Sequence, residues 1–504
     1  MKHVRINRGA NLMPMGAMIG LAACSGFGPP RTPPALTLPD HYVAADGHAG
    51  AHVAGTPAPT APQDGASATD DWWKSFGSAE LDAFVDEGLA ASPSLAAAQA
   101  TLAAARDGLR AQIGKSVLPS VDLGFSPSRQ QALGLPILKQ QTFLYDVFAA
   151  EVQTSYTFDF FGAALLADRS LARQVQQQAL QFEALRRGLA ANIVVATIQA
   201  AALQEQLDAA TRAVGFAAER ARQAEARERL GSLSTEEMLA AREAAANAAA
   251  AQPGLRAQLL AVRHAQAVLL GRNPDNAPIP LPLAALELPA AVPVAIPSEL
   301  LHRRPDILAA EAAVRSSADA AGAAAASLFP SLTLSAAYGR GGFDWSTFAS
   351  PAGALWSVGA SLTQPLFHGG ALRARQRQYE DLNSAAVAQY RQTVLAAFEN
   401  VADTLAALEA DREVATQTAR AADAASRRRR DTTARQQLGA LPEDASLGAG
   451  EEAENAAARQ AQALGAQLAD TAVLLDALGE TPAAMSAGAA SAGAASASIA
   501  VSQK

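Results

Sequence analysis

The residue with the most definite chemistry is Cys24, the only cysteine among 504 residues and the last of Leu21-Ala22-Ala23-Cys24. Small residues before a cysteine suit a lipoprotein signal peptidase, whose cut leaves Cys24 first in the mature chain with its thiol and amine open to acylation. The expected modification is an S-diacylglycerol and an N-acyl chain on Cys24, and no other cofactor is expected. Each buried methylene of such chains contributes about 0.8 kcal/mol, so two or three chains hold a protein firmly. Ahead of the site, Lys2, Arg5 and Arg8 precede a weakly apolar stretch from Met13 to Ala23, the layout of a secretory signal peptide over residues 1–23. Ser25, where an aspartate would signal inner-membrane retention, favours the outer membrane of a Gram-negative cell.

The other reactive residue types form no catalytic constellation. Seven histidines, at 3, 41, 46, 52, 264, 302 and 368, show no ligand spacing within one element. No glycine-rich phosphate loop follows a strand. Neither a metal site nor an enzyme is expected. A formal charge of -8, with no basic stripe interleaved with aromatics, argues against nucleic acid as a partner. Glu443 and Asp444 stand beside a turn; several copies around one axis would make an acidic constriction that favours cations. Capping and solvating the next helix is their competing role. Arg427 to Arg430 point around most of a helix and read first as a solvated surface, with an adaptor or subunit contact as the alternative. Trp72 and Trp73 read as structural, clamping the incoming segment to the body of the protein.

The elements that position these residues come in two copies. Ser92-Pro93-Ser94-Leu95 matches Arg304-Pro305-Asp306-Ile307, and Leu118-Pro119-Ser120 matches Phe329-Pro330-Ser331. Phe161-Gly162 meets Phe367-His368-Gly369, Leu230-Gly231 meets Leu438-Gly439, and Leu270-Gly271 meets Leu478-Gly479. Five landmarks in one order at nearly one spacing mark an internal duplication of about 208 residues.

Each copy opens with a helix whose Pro93 or Pro305 fits the first turn, where no amide partner is lost. Alternating segments follow. Val152, Thr154, Tyr156, Phe158 and Phe160 share one face, as do Leu332, Leu334, Ala336 and Tyr338, and the period of two marks strands with one apolar and one polar or small face. Long Ala, Gln, Arg and Glu segments then run from Ala163 to Leu230 and from Ala371 to Leu438, each roughly 100 Å at 1.5 Å per residue. They turn at Gly231-Ser232 and at Gly439, and helices of this length read as coiled-coil hairpins. The organisation expected is a lipidated tether over 24–68, a first repeat over 69–280 (helix, strand pair 120–160, helical hairpin 163–271), a second over 281–481 (helix, strand pair 331–367, hairpin 371–479), and an Ala/Ser/Gly tail over 482–504 expected to be disordered.

Four membrane-type strands per chain cannot close, and an open edge in lipid leaves backbone groups unpaired at several kcal/mol each. The smallest closed barrels use eight strands, whereas three copies of four give twelve. The expected fold is thus mixed α and β: a homotrimeric 12-stranded outer-membrane β-barrel continued by a long periplasmic α-helical barrel. Pro119, Pro330 and Pro365, with Gly162, Gly369 and Gly370, mark the helix-strand corners, since proline stops a helix and glycine allows the change of direction.

Asp71-Trp72-Trp73-Lys74-Ser75-Phe76, Arg303-Arg304-Pro305-Asp306-Ile307, Phe329-Pro330, Ser361-Leu362-Thr363-Gln364-Pro365-Leu366-Phe367 and Gly369-Gly370 resemble the signature stretches of the outer membrane factors. These are the TolC-like exit ducts of tripartite efflux pumps. The resemblance covers roughly residues 70–480 and implies a homotrimer, a periplasmic adaptor, an inner-membrane pump of the resistance-nodulation-division type, and outer-membrane lipid as the surroundings. It implies a passive channel for drugs or other small molecules, with metal-ion efflux or type I polypeptide secretion as alternatives within the class. It also makes the tips at Gly231, Ser232 and Gly439 candidate adaptor contacts. The chain departs from the family at Pro442-Glu443-Asp444-Ala445-Ser446-Leu447-Gly448-Ala449-Gly450, where an apolar and acidic stretch is usual, which leaves the gate geometry open. A periplasmic coiled-coil adaptor lipoprotein, the rival from another class, would carry one hairpin flanked by small β domains rather than two equal hairpins.

Overall fold

The computed structural model describes residues 28–32, 61–64, 71–133, 142–289, 291–294 and 303–479. The expected signal peptide, Leu21 to Cys24, most of the expected tether and the 482–504 stretch lie outside the described residues. In chain order the elements are β1 (Ala61–Asp64), a single 3₁₀ turn at Trp72–Phe76, α1 (Ala79–Ala91), α2 (Pro93–Val117), β2 (Ser120–Phe125), β3 (Ser128–Leu133), β4 (Thr142–Phe158), α3 (Ala163–Arg229), α4 (Thr235–Leu269), β5 (Ala291–Val294), α5 (Pro305–Ala326), β6 (Ser331–Gly342), α6 (Trp345–Ala349), β7 (Ala354–Thr363), α7 (Ala371–Gln437) and α8 (Glu443–Ala477). Every boundary of the second hairpin falls 208 residues after its counterpart: 163 and 371, 229 and 437, 235 and 443, 269 and 477.

The chain divides into two compact units. The first, residues 1–35, 102–178 and 310–390, holds the main sheet. β4 is its hub: β2 and β3 pair with it in succession along one edge, and β6 joins its other edge and then pairs with β7, all antiparallel. Five strands thus occupy four positions across the sheet. The split between β2 and β3 falls at Ser126-Pro127, where proline has no N–H for the ladder, although Ser126 N still donates to Ala149 O at 2.8 Å. β4 ends at Phe158, short of Phe160 where the alternation stops, and Asp159 instead accepts from Leu165 N at 2.8 Å and caps the start of α3.

The second unit, residues 36–101, 179–309 and 391–504, contains the apolar core. Trp72, Trp73 and Phe76 pack there with Leu81 and Val85 of α1, Ile193, Val194 and Ile198 of α3, Val401 of α7, and Leu468, Leu474 and Leu475 of α8. Elsewhere the packing uses small residues. An added Cβ on Gly465 of α8 would lie 2.5 Å from Ala202 Cβ of α3, so the alanine-rich composition serves close helix approach. α1 and the parallel pair of β1 with β5 were not legible in the sequence, being short and without strong periodicity. No helix among the described residues is long and apolar enough to cross a membrane.

Candidate functional site

The sheet sorts its residues by chemistry. Register places Leu123, Val152, Tyr338 and Trp356 side by side across four strands, followed on the same face by Val121, Thr154, Ala336 and Val358. The opposite face carries Asp122, Gln153, Ala337 and Ser357, then Ser120, Ser155, Ser335 and Gly359. Hydroxyls bridge its strands, Ser120 with Ser155 at 2.9 Å and Thr157 with Thr333 at 3.0 Å. The apolar face is uncovered in one chain: Leu123 is 79% exposed and Trp356 76%. A sheet with one bare apolar face and one small polar face suits lipid on the first and water on the second.

The corner residues lie where the chain changes element. Pro119 and Pro330 immediately precede β2 and β6, and Gly162, Gly369 and Gly370 adopt φ of 77°, 61° and 83°, the left-handed region that a side chain disfavours. Pro365 follows β7, next to Gln364, whose amide donates to Leu328 O at 3.1 Å.

At the hairpin tips, Gly231 and Gly439 have φ of 70° and 73° and close matching C-caps. Ser232 N donates to Arg227 O and Ala440 N to Arg435 O, each at 2.9 Å, which satisfies carbonyls the helix ends would orphan. Beyond the glycine the tips diverge. Ser234 and Glu237 form a reciprocal capping box at the start of α4, and its hydrogen bonds hold the Glu237 carboxyl below the ordinary value. At the start of α8, Pro442 occupies the cap position with no side-chain bond.

The second tip is secured by ion pairs instead. Arg220 of α3 reaches Asp444 Oδ1 and Glu451 Oε2, both at 3.0 Å, which raises its own pKa. Nearby, the buried Glu454 of α8 receives Arg212 of α3 at 2.7 Å and Arg429 of α7 at 2.8 Å. Arg429 also stacks 5.1 Å from the Phe216 ring, and an added Cβ on Gly450 would stand 2.8 Å from that ring. Of the glycines that interrupt the family pattern, Gly450 therefore makes room for Phe216, whereas a side chain at Gly448 would meet Arg220 only in ordinary contact, and α8 forms despite both. Asp444 is ion-paired within its own chain, whereas Glu443 is exposed. Of the Arg427–Arg430 run, Arg427 pairs locally with Asp423 at 2.8 Å and Arg429 is the inward member.

One more polar group escaped sequence reasoning. Asp411 of α7 faces Asp470 of α8, and burial together with that neighbour pushes the Asp411 carboxyl up to about 6. Farther along α8, at its last residue, Arg304 pairs with Asp306 at 2.7 Å and donates to Ala477 O at 3.2 Å, tying the start of α5 to the end of α8. The Arg-Pro-Asp motif thus has a structural role. Among the described residues no group of three or more His, Cys, Asp or Glu is placed to hold a metal ion.

The chain matches the family model described as outer membrane efflux protein over residues 84–272 and 296–480. It is 32% identical to the pyoverdine export outer membrane protein OpmQ of Pseudomonas putida, over 79% of this chain and 81% of that one. It is 30% identical to the antibiotic efflux pump outer membrane protein ArpC of Pseudomonas putida, over 69% and 72%. Among solved structures, the outer-membrane channel OprN superposes with a TM-score of 0.75 at 26% identity, covering 90% of this chain and 99% of that one. The CmeC outer membrane channel of Campylobacter jejuni, at 20% identity, shares the fold with a TM-score of 0.77, over 91% and 98%.

Proposed function

The chain belongs to the outer membrane efflux protein family, and from that premise we propose that three copies close one twelve-stranded barrel and form the exit duct of a tripartite pump. It is an outer membrane channel component of a bacterial efflux or export system, and a passive conduit rather than an enzyme. The trimer rests on one observation above all, the unclosed sheet. β7 and the β2/β3 edge each have a single neighbour among the described strands, while the face between them is bare and apolar. In lipid each unpaired edge group costs several kcal/mol, and a second and third copy supply the missing ladders.

An inner-membrane pump of the resistance-nodulation-division type would load the duct, and a periplasmic adaptor would meet the tips around Gly231, Ser232 and Gly439. The cargo would be small organic molecules, in line with relatives named for pyoverdine, toluene and antibiotic export. Cys24 would carry the S-diacylglycerol and N-acyl chains that add a lipid anchor to the barrel.

Native mass measurement in detergent tests the assembly, and planar-bilayer conductance of the same preparation tests the duct. Three subunits with a water-filled conductance are expected; a stable monomer that conducts would overturn the shared barrel. Cys24→Ser should abolish acyl labelling while the trimer still conducts, and normal labelling of that variant would remove Cys24 as the anchor.

A further inference from the structure

In the unit that holds the sheet, a short amino-terminal stretch from Gly28 to Arg31 lies on α5. Arg31 Nε stands 2.6 Å from Asp319 Oδ1, and Asp319 is only 3% exposed. Three residues earlier, Gly28 has φ of 103°, and an added Cβ there would meet Gly322 Cα at 2.9 Å and Ala318 O at 3.1 Å. Asp319 and Gly322 share one face of α5 at the i, i+3 spacing, so the ion pair and the glycine crossing form one continuous seat. A buried carboxylate is costly without a counter-charge, and here the amino-terminal segment brings one. Burial pushes the Asp319 carboxyl up, while the positive charges of Arg31, Arg169 and Arg173 draw it back.

The seat has a definite place along the helix. Gly322 lies four residues before Ala326, the last residue of α5, roughly 6 Å of helix. β6 begins at Ser331, with Leu332 on the apolar face. Cys24 is four residues before Gly28, and a chain spans at most about 14 Å over that length.

We propose that Arg31 with Asp319, and Gly28 with Gly322, form a clip that docks the mature amino-terminal segment on α5 and presents the acylated Cys24 at the end of that helix nearest the lipid-facing strands. Only the chemistry of the anchor rests on the proposed acylation of Cys24; the docking does not. The clip makes acyl chains and apolar strand face enter the same leaflet, instead of leaving the lipid on a long slack tether.

Arg31 is also the single tryptic site between Cys24 and Lys74, so trypsin reports directly on the clip. The full chain, purified in detergent, is digested briefly and the peptide from Cys24 to Arg31 is followed by mass. Slow release is expected from the unaltered protein, and release faster by about tenfold or more from Asp319→Asn and from Gly28→Ala, with cleavage elsewhere unchanged, because proteolysis tracks the population of the opened segment. If Asp319→Asn is cut faster everywhere, its fold is at fault and Gly28→Ala, which alters no helix, decides. Equal release from the unaltered protein and Gly28→Ala overturns the clip. The peptide's mass separates the two readings: an unacylated peptide that is slowly released removes the anchor and keeps the clip, and an acylated peptide released equally fast from all three does the reverse.

Discussion

The two helical hairpins have the same lengths, 67 and 35 residues each, yet they are held by different means. The first is locked locally: its tip carries the Ser234 and Glu237 capping box, and its return helix α4 buries little beyond Leu259, Gln266 and Ala267. The second has Pro442 and Ala445 at the equivalent positions and no box, and its return helix α8 buries sixteen residues along its length. Where α4 has Ala246, α8 has Glu454, gripped by Arg212 and Arg429. Where the first hairpin has Leu203 and Val262, the second sets Asp411 against Asp470. Duplication thus preserved the scaffold while long-range contacts diverged. α8 became the inner partner of α3, while α4 stays largely exposed.

The comparison breaks most severely at Glu454. Glu454→Ala should loosen α8 by about 2 kcal/mol, less than the loss of a fully buried partner because Arg212 and Arg429 are each about half exposed and regain water. The mirror change Ala246→Glu should cost less than about 0.5 kcal/mol on the exposed α4. Hydrogen exchange of the two return helices measures both, and equal responses would mean that the ion pairs do not hold the second hairpin.

A smaller effect is expected from making the second hairpin like the first with Asp411→Leu and Asp470→Val. The folded-state pKa of Asp411, about 6, lies above its ordinary 3.8. The folded state therefore binds the proton more tightly, and that stabilisation is fully present below about pH 4 and lost as the pH rises through 6. The double variant should melt higher than the unaltered protein at pH 7.5, by about 1 kcal/mol once solvent screening is allowed for, and should lose the slope between pH 4 and 6. An unaltered protein that melts alike at pH 5 and pH 7.5, after correction for the double variant's own drift, removes the shared-proton pair.

What the sequence discloses follows from interaction range. Strand faces, corners and hairpin lengths are written in local patterns: the alternation at Val152 to Phe158, the proline before each strand, the glycine at each tip. The capping box is local too, and Ser234 to Glu237 spells it out. The ties of the second tip are not local. Arg220 and Asp444 are 224 residues apart, and Arg212 and Glu454 are 242 apart. No period within α8 distinguishes Glu454 from its solvated neighbours, and Gly450 looks like a helix weakness until Phe216 is seen beside it. Antiparallel packing of α3 on α8, once assumed, would have aligned these residues, and that is the signal a longer-range reading has to use.

The smallest effect is expected at Glu443, where the comparison bears on conduction. Its counterpart in the first hairpin is Thr235, so a ring of charge from the second tip alone would set the field at the constriction. Asp444, the other acidic candidate, is already ion-paired with Arg220, so its removal leaves Arg220 to Glu451 alone and loosens the tip. The two residues separate by salt. The influence of an exposed Glu443 reaches about 30 Å at 0.01 M salt and about 3 Å at 1 M, so Glu443→Gln should reduce cation preference modestly at low salt and leave it unchanged at high salt. Asp444→Asn should alter conductance at both, since a loosened tip does not depend on screening. Cation preference of the reconstituted channel, taken from reversal potentials at the two concentrations, measures this. If Glu443→Gln changes nothing at 0.01 M, the acidic constriction is wrong, and the second tip is a mechanical clasp whose charges serve only to hold α8 on α3.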